Sequence, residues 1–338
     1  MKVGIIGGGV IAVRHIQAYR TIEDVEGIVL ADLAPDFPAR AELQATPNAQ
    51  AVTDHRAILD DGEVEVVSIC LPHDLHEPVA VEALQAGKHV ITEKPIALTV
   101  DQADNMIAEA KRAGRRLFVI MNLVFAPYYL RARELLRSGQ MGRPFLAVFH
   151  ITGSELPRMN DPDSWKGTKE RAGGGAMIDT GYHAVYMLLD LFGRPERVSA
   201  HARRLIVEPA NKMDDNTVAT LDFPNGVLAT VIVSYSETNI PWSERRYLYC
   251  TDASAEISDD TIEPLRIWRD GQITERHDWP HAEHPHPYSI RVCIEHYLDC
   301  IETGADPMVD ARHARDTLAT LLALYEASDT GRTVSFGC

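Results

Sequence analysis

A run of small residues near the amino terminus has the spacing of a phosphate-binding loop. Gly7-Gly8-Gly9-Val10-Ile11-Ala12 follows the apolar run Val3 to Ile6 and matches G-x-G-x-x-G/A, with Gly7, Gly9 and Ala12 in the fixed places. Gly7 permits a tight turn, Gly9 lets a pyrophosphate approach the backbone, and small Ala12 lets helix and strand pack closely. A helix opening at Val10 and Ile11 would turn free N–H groups and its positive dipole end toward that anion. Asp32 closes the second apolar run 23 residues after Gly9, where a carboxylate can hold both ribose hydroxyls. It would repel a 2′-phosphate, and Leu33 carries no charge to offset that. The pattern predicts NAD in preference to NADP.

A second set of residues has the chemistry of proton removal from an alcohol. Hydride can leave a secondary alcohol carbon only as the hydroxyl proton is taken, which requires a base titrating near neutrality against that oxygen. His183 fits that role, and Lys94, in Glu93-Lys94-Pro95, can supply the cation that stabilises developing alkoxide charge. Asp179 lies four residues before His183, so on a helix the two share one face, and it can orient the imidazole or bind a substrate hydroxyl. Such a pair is common in ordinary helices, so its meaning depends on the elements that place it.

Those elements read in two styles. From Lys2 to about Asn122, apolar runs at Val3–Ile6, Ile28–Ala31, Val64–Cys70, His89–Thr92 and Leu117–Met121 alternate with helical segments. That is the grammar of an α/β Rossmann domain, a doubly wound parallel sheet covered on both faces. Thr99 and Gln102 predict a capping box for the helix that ends near Gly114. Beyond Asn122, alternating runs at Phe145–Ile151, Arg197–Arg204, Thr217–Phe223, Val227–Ser234 and Arg245–Cys250 predict an α+β domain on a largely antiparallel open sheet. Asn225-Gly226 marks a hairpin within it. Two helices, Tyr288 to Glu302 and Asp310 to Ser328, close the chain. The expected domains are 1–122 for the nucleotide and 123–338 for the α+β fold.

Three motifs in this order resemble the Gfo/Idh/MocA family of oxidoreductases: the glycine fingerprint, Ala86-Gly87-Lys88-His89-Val90-Ile91-Thr92-Glu93-Lys94-Pro95, and Gly173-Gly174-Gly175-Ala176-Met177-Ile178-Asp179-Thr180-Gly181-Tyr182-His183. The resemblance implies a dehydrogenase acting on a secondary hydroxyl of a sugar, sugar derivative or cyclitol. It implies that Lys94, Asp179 and His183 form the catalytic set. The rivals are a redox-neutral NAD-dependent glycosidase of the same family, which can keep all three residues, and a non-catalytic nucleotide-binding sensor. The family is usually dimeric or tetrameric, so a homodimer or homotetramer is expected.

Further site residues follow from the same comparison. Leu71, Pro72 and His76 lie at the end of the third predicted strand, where His73 stands in place of a usual Asn; with Glu93, Lys94 and Asn122 they are expected around the cofactor. Trp165 and Lys166 occupy the place of a Trp-Arg pair near the substrate, and a lysine lacks the bidentate fork of arginine. His284, His286 and Tyr288 are candidate substrate contacts. The run His281 to His286 fits no common zinc or iron spacing, so no metal is expected.

Composition narrows the partners. Of 338 residues, 33 are Lys or Arg and 49 Asp or Glu, a net charge of −16 that repels nucleic-acid and anionic-membrane surfaces. No stretch approaches the ~18 apolar residues of a membrane span. Five cysteines without a CxxC pair predict reduced thiols and a cytoplasmic protein.

Overall fold

The computed structural model describes residues 1–337 apart from 209–211, 259–261 and 280–283. The chain divides into two compact units, Met1–Asn122 with His286–Arg315, and Leu123–Pro285 with Asp316–Cys338.

In the first unit β1 (Lys2–Ile6), β2 (Gly27–Ala31), β3 (Ala49–Val52), β4 (Val64–Ile69), β5 (His89–Thr92) and β6 (Leu117–Val119) pair in parallel in the order 3-2-1-4-5-6. The apolar runs of β1, β2, β4 and β5 are almost wholly buried, as a sheet covered on both faces requires. Between strands run α1 (Val10–Arg20), α2 (His76–Gln85) and α3 (Val100–Ala113). The expected capping box opens α3: Gln102 N donates to Thr99 Oγ1 at 3.2 Å, and Thr99 N to Gln102 Oε1 at 3.1 Å. Gly114 closes it in the left-handed region, φ 63°. In this sheet the strand not expected from sequence is β3, whose Ala-Gln-Ala-Val is half exposed at the edge and too polar to read as a buried run.

The second unit carries α4 (Pro127–Arg137), α5 (Gly181–Phe192) and a nine-stranded sheet. Its strands are β7 (Pro144–Thr152), β8 (Arg197–Arg203), β9 (Asn216–Asp222), β10 (Leu228–Ser234), β11 (Ser243–Cys250), β12 (Ser254–Ser258), β13 (Leu265–Arg269), β14 (Gln272–His277) and β15 (Val334–Ser335). They lie in the order 14-13-12-11-7-10-9-8-15. Every pairing is antiparallel except β7 with β10, which is parallel. Asn225-Gly226 turns β9 into β10, with Gly226 at φ 79°. On β10, Ala229, Val231 and Val233 are buried and α5 packs on the strand, while Leu228 is exposed.

The closing helices are α6 (Pro285–Thr303) and α7 (Ala311–Thr330). Residues 286–315, which the sequence places in the domain after residue 122, pack within the first compact unit. Tyr297 of α6 stacks on Phe118 of β6, ring centroids 4.5 Å apart, and its hydroxyl donates to Val119 O at 2.8 Å. Arg315 at the start of α7 pairs with Asp104 of α3 at 2.9 Å. Periodicity tells which face of a helix is buried, but not which sheet covers it. Among the described residues no helix is long and apolar enough to cross a membrane, and Cys70, Cys250, Cys293 and Cys300 are free buried thiols.

Candidate active site

The glycine loop is shaped by close approaches. Gly7 has φ 99°, and a Cβ there would stand 2.4 Å from the Cys70 carbonyl oxygen, so no side chain fits. A Cβ on Gly8 would enter the Phe37 ring at 2.5 Å. At Gly9 a Cβ would meet nothing within 4 Å: this residue is the N-cap of α1, no side chain caps the helix, and its surface is open. Val10 is 61% exposed beside it, Ile11 is half-buried, and Ala12 is wholly buried against the sheet. Asp32 is fixed at the end of β2, its carboxylate accepting from Gly8 N at 2.7 Å and from Ala34 N at 2.8 Å. Open backbone donors at a helix N-terminus and a carboxylate pinned beside them fit a dinucleotide.

The segment after β5 is braced from within. Glu93 is 8% exposed and turned inward: Oε1 meets His15 Nε2 at 3.1 Å, and Oε2 accepts from Lys94 N at 3.2 Å. His15 Nδ1 meets Ser68 Oγ at 3.1 Å, and Ser68 Oγ meets Tyr19 OH at 2.6 Å. Burial pushes the Glu93 carboxyl up, but the hydrogen bond and charge of His15, with Lys94 and His76, outweigh it and hold it below the usual range. The Lys94-Pro95 peptide bond is cis. His76 is wholly buried and joins two strand-end loops, Nδ1 on Pro95 O at 2.7 Å and Nε2 on Leu71 O at 2.9 Å. Burial lowers its affinity for a proton. Pro72 and buried His73 continue this strand end, the His73 ring 5.7 Å from that of His76. Asn122, 1% exposed, donates to Ser289 of α6 at 2.8 Å. Of the residues expected around the cofactor, the side chains of Glu93, His76 and Asn122 have internal partners, as the Asp32 carboxylate does in Gly8 N and Ala34 N, while Gly9 and Val10 reach the surface at the loop.

In the second unit, Asp214 builds the turn that carries Asp179. A Cβ on Gly175 would lie 1.8 Å from Asp214 O, so the chain passes only as glycine. The Asp214 carboxylate accepts from Gly175 N (2.9 Å), Met177 N (3.0 Å), Thr217 Oγ1 (2.8 Å) and Tyr325 OH (2.7 Å), capping the short helix Ala176–Asp179. Asp179 accepts from Lys166 Nζ at 2.5 Å and Tyr235 OH at 2.8 Å, both on Oδ2. Tyr235 also meets Thr180 Oγ1. Lys166 lies 3.6 Å from Glu155, and its ammonium sits 5.7 Å from the Trp165 ring centroid. Burial alone would lower the Lys166 pKa, but Asp179 and Glu155 reverse this and raise it, so the amine stays charged. Burial and the Asp179 charge push the Tyr235 phenol well up, keeping it a donor.

His183 lies in the first turn of α5, and its Nδ1 meets the hydroxyl of Tyr186, one helical turn on, at 2.9 Å. His284 and His286 are exposed; His286 and half-buried Tyr288 open α6, with the Arg291 guanidinium 4.9 Å from the Tyr288 ring centroid. His281 lies outside the described residues.

Sequence reasoning missed His15, Asp214, Tyr186 and Tyr235. For Tyr186 a signal existed, the i,i+3 spacing from His183. The other three act across long sequence separations.

A parallel sheet with an open glycine loop, followed by a unit that holds Asp179 and His183 over a mostly antiparallel sheet, defines a dinucleotide-binding protein of the Rossmann class. A family model described as "Oxidoreductase family, NAD-binding Rossmann fold" matches residues 1–121, and one for the GFO/IDH/MocA C-terminal domain matches residues 129–256. The chain belongs to the Gfo/Idh/MocA family of oxidoreductases. It is 28% identical to D-glucoside 3-dehydrogenase of Escherichia coli (strain K12), over 99% of this chain and 97% of that one. It is 26% identical to D-xylose 1-dehydrogenase [NADP(+)] of Haloarcula marismortui, over 80% of this chain and 74% of that one. A solved structure of levoglucosan dehydrogenase in complex with NADH shares the fold, with TM-score 0.89 and 23% identity over 100% of this chain and 99% of that one.

Proposed function

We propose that this protein is an NAD-dependent dehydrogenase that oxidises a secondary hydroxyl of a sugar, sugar derivative or cyclitol. The observation that carries the reading is His183, held at Nδ1 by a buried tyrosine in a motif that also presents a positioned carboxylate, Asp179. NAD, when bound, supplies the hydride acceptor. The Gly7–Ala12 backbone would hold its pyrophosphate and Asp32 its ribose hydroxyls, with Leu71, Pro72 and Glu93 contributing through the strand-end loops that His15 and His76 brace, and Asn122 through the one tied to Ser289. Asp32 favours NAD over NADP because its charge would face a 2′-phosphate and Leu33, 89% exposed, adds no cation.

His183 takes the hydroxyl proton at Nε2, and the Lys94 ammonium stabilises the alkoxide as it forms. Asp179, paired with Lys166, accepts a hydrogen bond from a second substrate hydroxyl. Because the Lys166 charge already meets Asp179 and Glu155, an uncharged polyol is favoured over a sugar acid. Trp165, His284, His286 and Tyr288 are the proposed remaining substrate contacts. The open sheet face, where Leu146, Val148, Val218, Leu228, Ile232 and Tyr247 stand out of the core, is the proposed surface for a homodimer or homotetramer. The free thiols fit a cytoplasmic setting.

The test is an initial-rate screen for reduced cofactor with NAD and with NADP across glycosides, aldoses, inositols and sugar acids. The expected result is turnover of one neutral class, faster with NAD, that falls by roughly 10²–10⁴-fold in His183→Gln while NADH binding is retained. Release of an aglycone without net NADH would point to the redox-neutral glycosidase, and full turnover by His183→Gln would refute the base assignment.

A further inference from the structure

We infer that Trp242 is the platform for the group joined to the oxidised sugar: its exposed indole stacks on the apolar face of a ring. The substrate is then a glycoside carrying an aryl aglycone or a second pyranose, rather than a free sugar or cyclitol. The inference rests on the reading of Asp179 as a substrate contact and adds what lies beyond the sugar that Asp179 holds.

The indole is fixed in place and still exposed. Trp242 lies just ahead of β11, and its ring covers Gly153, just after β7, where a Cβ would stand 2.1 Å from Cε3. Trp242 Nε1 donates to Glu244 Oε1 at 3.0 Å, and the Glu244 carboxylate also pairs with buried Arg246. The loop that delivers the ring is pinned as well. Glu237 Oε1 accepts from Asn239 N at 2.6 Å and Ile240 N at 3.3 Å, and Glu237 N donates to Gly153 O at 3.2 Å. Yet Trp242 is 39% exposed. Two links tie it to the candidate site. Its ring centroid is 6.1 Å from that of Tyr235, whose hydroxyl donates to Asp179 at 2.8 Å. Gly153 also stands two residues before Glu155, the neighbour of Lys166, and the segment is bonded to the end of β10: Gly153 N donates to Ser234 O at 3.0 Å and Glu155 N to Tyr235 O at 3.1 Å. Residues two apart in an extended segment share a face at a spacing of about 7 Å. Trp242 and the Lys166–Asp179 pair therefore stand side by side on one face, about a sugar ring apart. Trp165 stands on the Asp179 side of this row, its ring centroid 5.7 Å from Lys166 Nζ. A sugar whose hydroxyl meets Asp179 places the ring joined to it over Trp242. An aromatic already held rigid loses little freedom on stacking, and aryl rings and the C–H faces of pyranoses both offer it an apolar plane. Free aldoses and inositols end short of it.

The experiment measures kcat/KM of the full chain with NAD for matched phenyl and methyl glycosides of glucose, galactose and xylose in both anomers. Cellobiose, maltose, the free aldoses and myo-inositol complete the panel. For the sugar that is turned over, the phenyl or disaccharide form is expected to exceed the methyl form by about tenfold in the wild type. The higher of the two names the source of the ring. In Trp242→Ala the ratio should fall to about one, with Trp242→Phe, which keeps an aromatic face, between the two. A ratio of two substrates in one preparation is unmoved by partial unfolding or a general loss of kcat, which is what a merely structural tryptophan would give. A ratio near one in the wild type overturns the inference, and needs no variant to fold. The wild-type ratio retained in Trp242→Ala overturns it as well. Turnover confined to free aldoses or inositols would remove only this inference and leave the dehydrogenase reading standing. Absence of NADH formation with every compound would remove both.

Discussion

Asp214→Asn separates the hydrogen-bonding of the glycine turn from its packing, since the two side chains have nearly the same shape. In the wild type Oδ1 takes Gly175 N and Tyr325 OH, and Oδ2 takes Met177 N and Thr217 Oγ1. An asparagine oxygen can serve one of these pairs, leaving its NH₂ against the other. The hydroxyl of that pair can rotate away, but the backbone N–H cannot, so one buried donor is orphaned at a cost of about 1–3 kcal/mol. The two surviving bonds lose their charge assistance, adding about 0.5–1 kcal/mol each. A total near 3 kcal/mol lowers the melting temperature of a unit this size by about 6–12 °C. Because the same carboxylate caps the helix that presents Asp179, kcat falls too, while NADH affinity, which rests on the other unit, stays within about twofold. Differential scanning calorimetry, a fluorescence titration with NADH and initial rates read the three quantities. A melting temperature within about 2 °C of wild type together with full kcat would refute the claim that Asp214 builds the turn.

Two further perturbations probe the first unit. Asp32→Ser combined with Leu33→Arg removes the charge facing a 2′-phosphate and adds a cation, so the ratio of kcat/KM for NAD over NADP should fall about 100-fold, some 2–3 kcal/mol; an unchanged ratio would show that Asp32 does not select the cofactor. Glu93 is held below its ordinary value, so its contribution to stability is complete above the unfolded carboxyl value near 4.5 and drains away as pH falls through the lower folded value. The gap in melting temperature between wild type and Glu93→Gln should therefore narrow from pH 6 to about pH 3.5. A gap constant across that range would mean that the His15 contact does not stabilise the charged carboxylate.

What could be read from the chain alone is what neighbours in sequence decide. The Thr99–Gln102 box, the Gly114 stop, the Asn225-Gly226 turn and the glycine loop each follow from residues a few positions apart, because backbone dihedrals and local donors set them. The apolar runs of β1, β2, β4 and β5 and the alternation on β10 were legible for the same reason, as burial imprints its period on the sequence. The edge strand β3 was not, being half polar and exposed on a sheet that covers only one of its sides.

Of the site, the types and order of Lys94, Asp179, His183 and the glycine loop stand in the sequence; the partners that hold them do not. His15 reaches Glu93 across 78 residues, Tyr235 reaches Asp179 across 56, and Asp214 caps a turn 39 residues before it. Helix α6 displays an apolar face that suits either sheet, and only its stacking on Phe118 assigns it to the first unit. Likewise nothing local distinguishes the parallel pairing of β7 and β10 from the antiparallel one. Local sequence specifies conformation and which faces are buried; which buried face meets which, and hence what each candidate site residue leans on, is settled only when the whole chain packs.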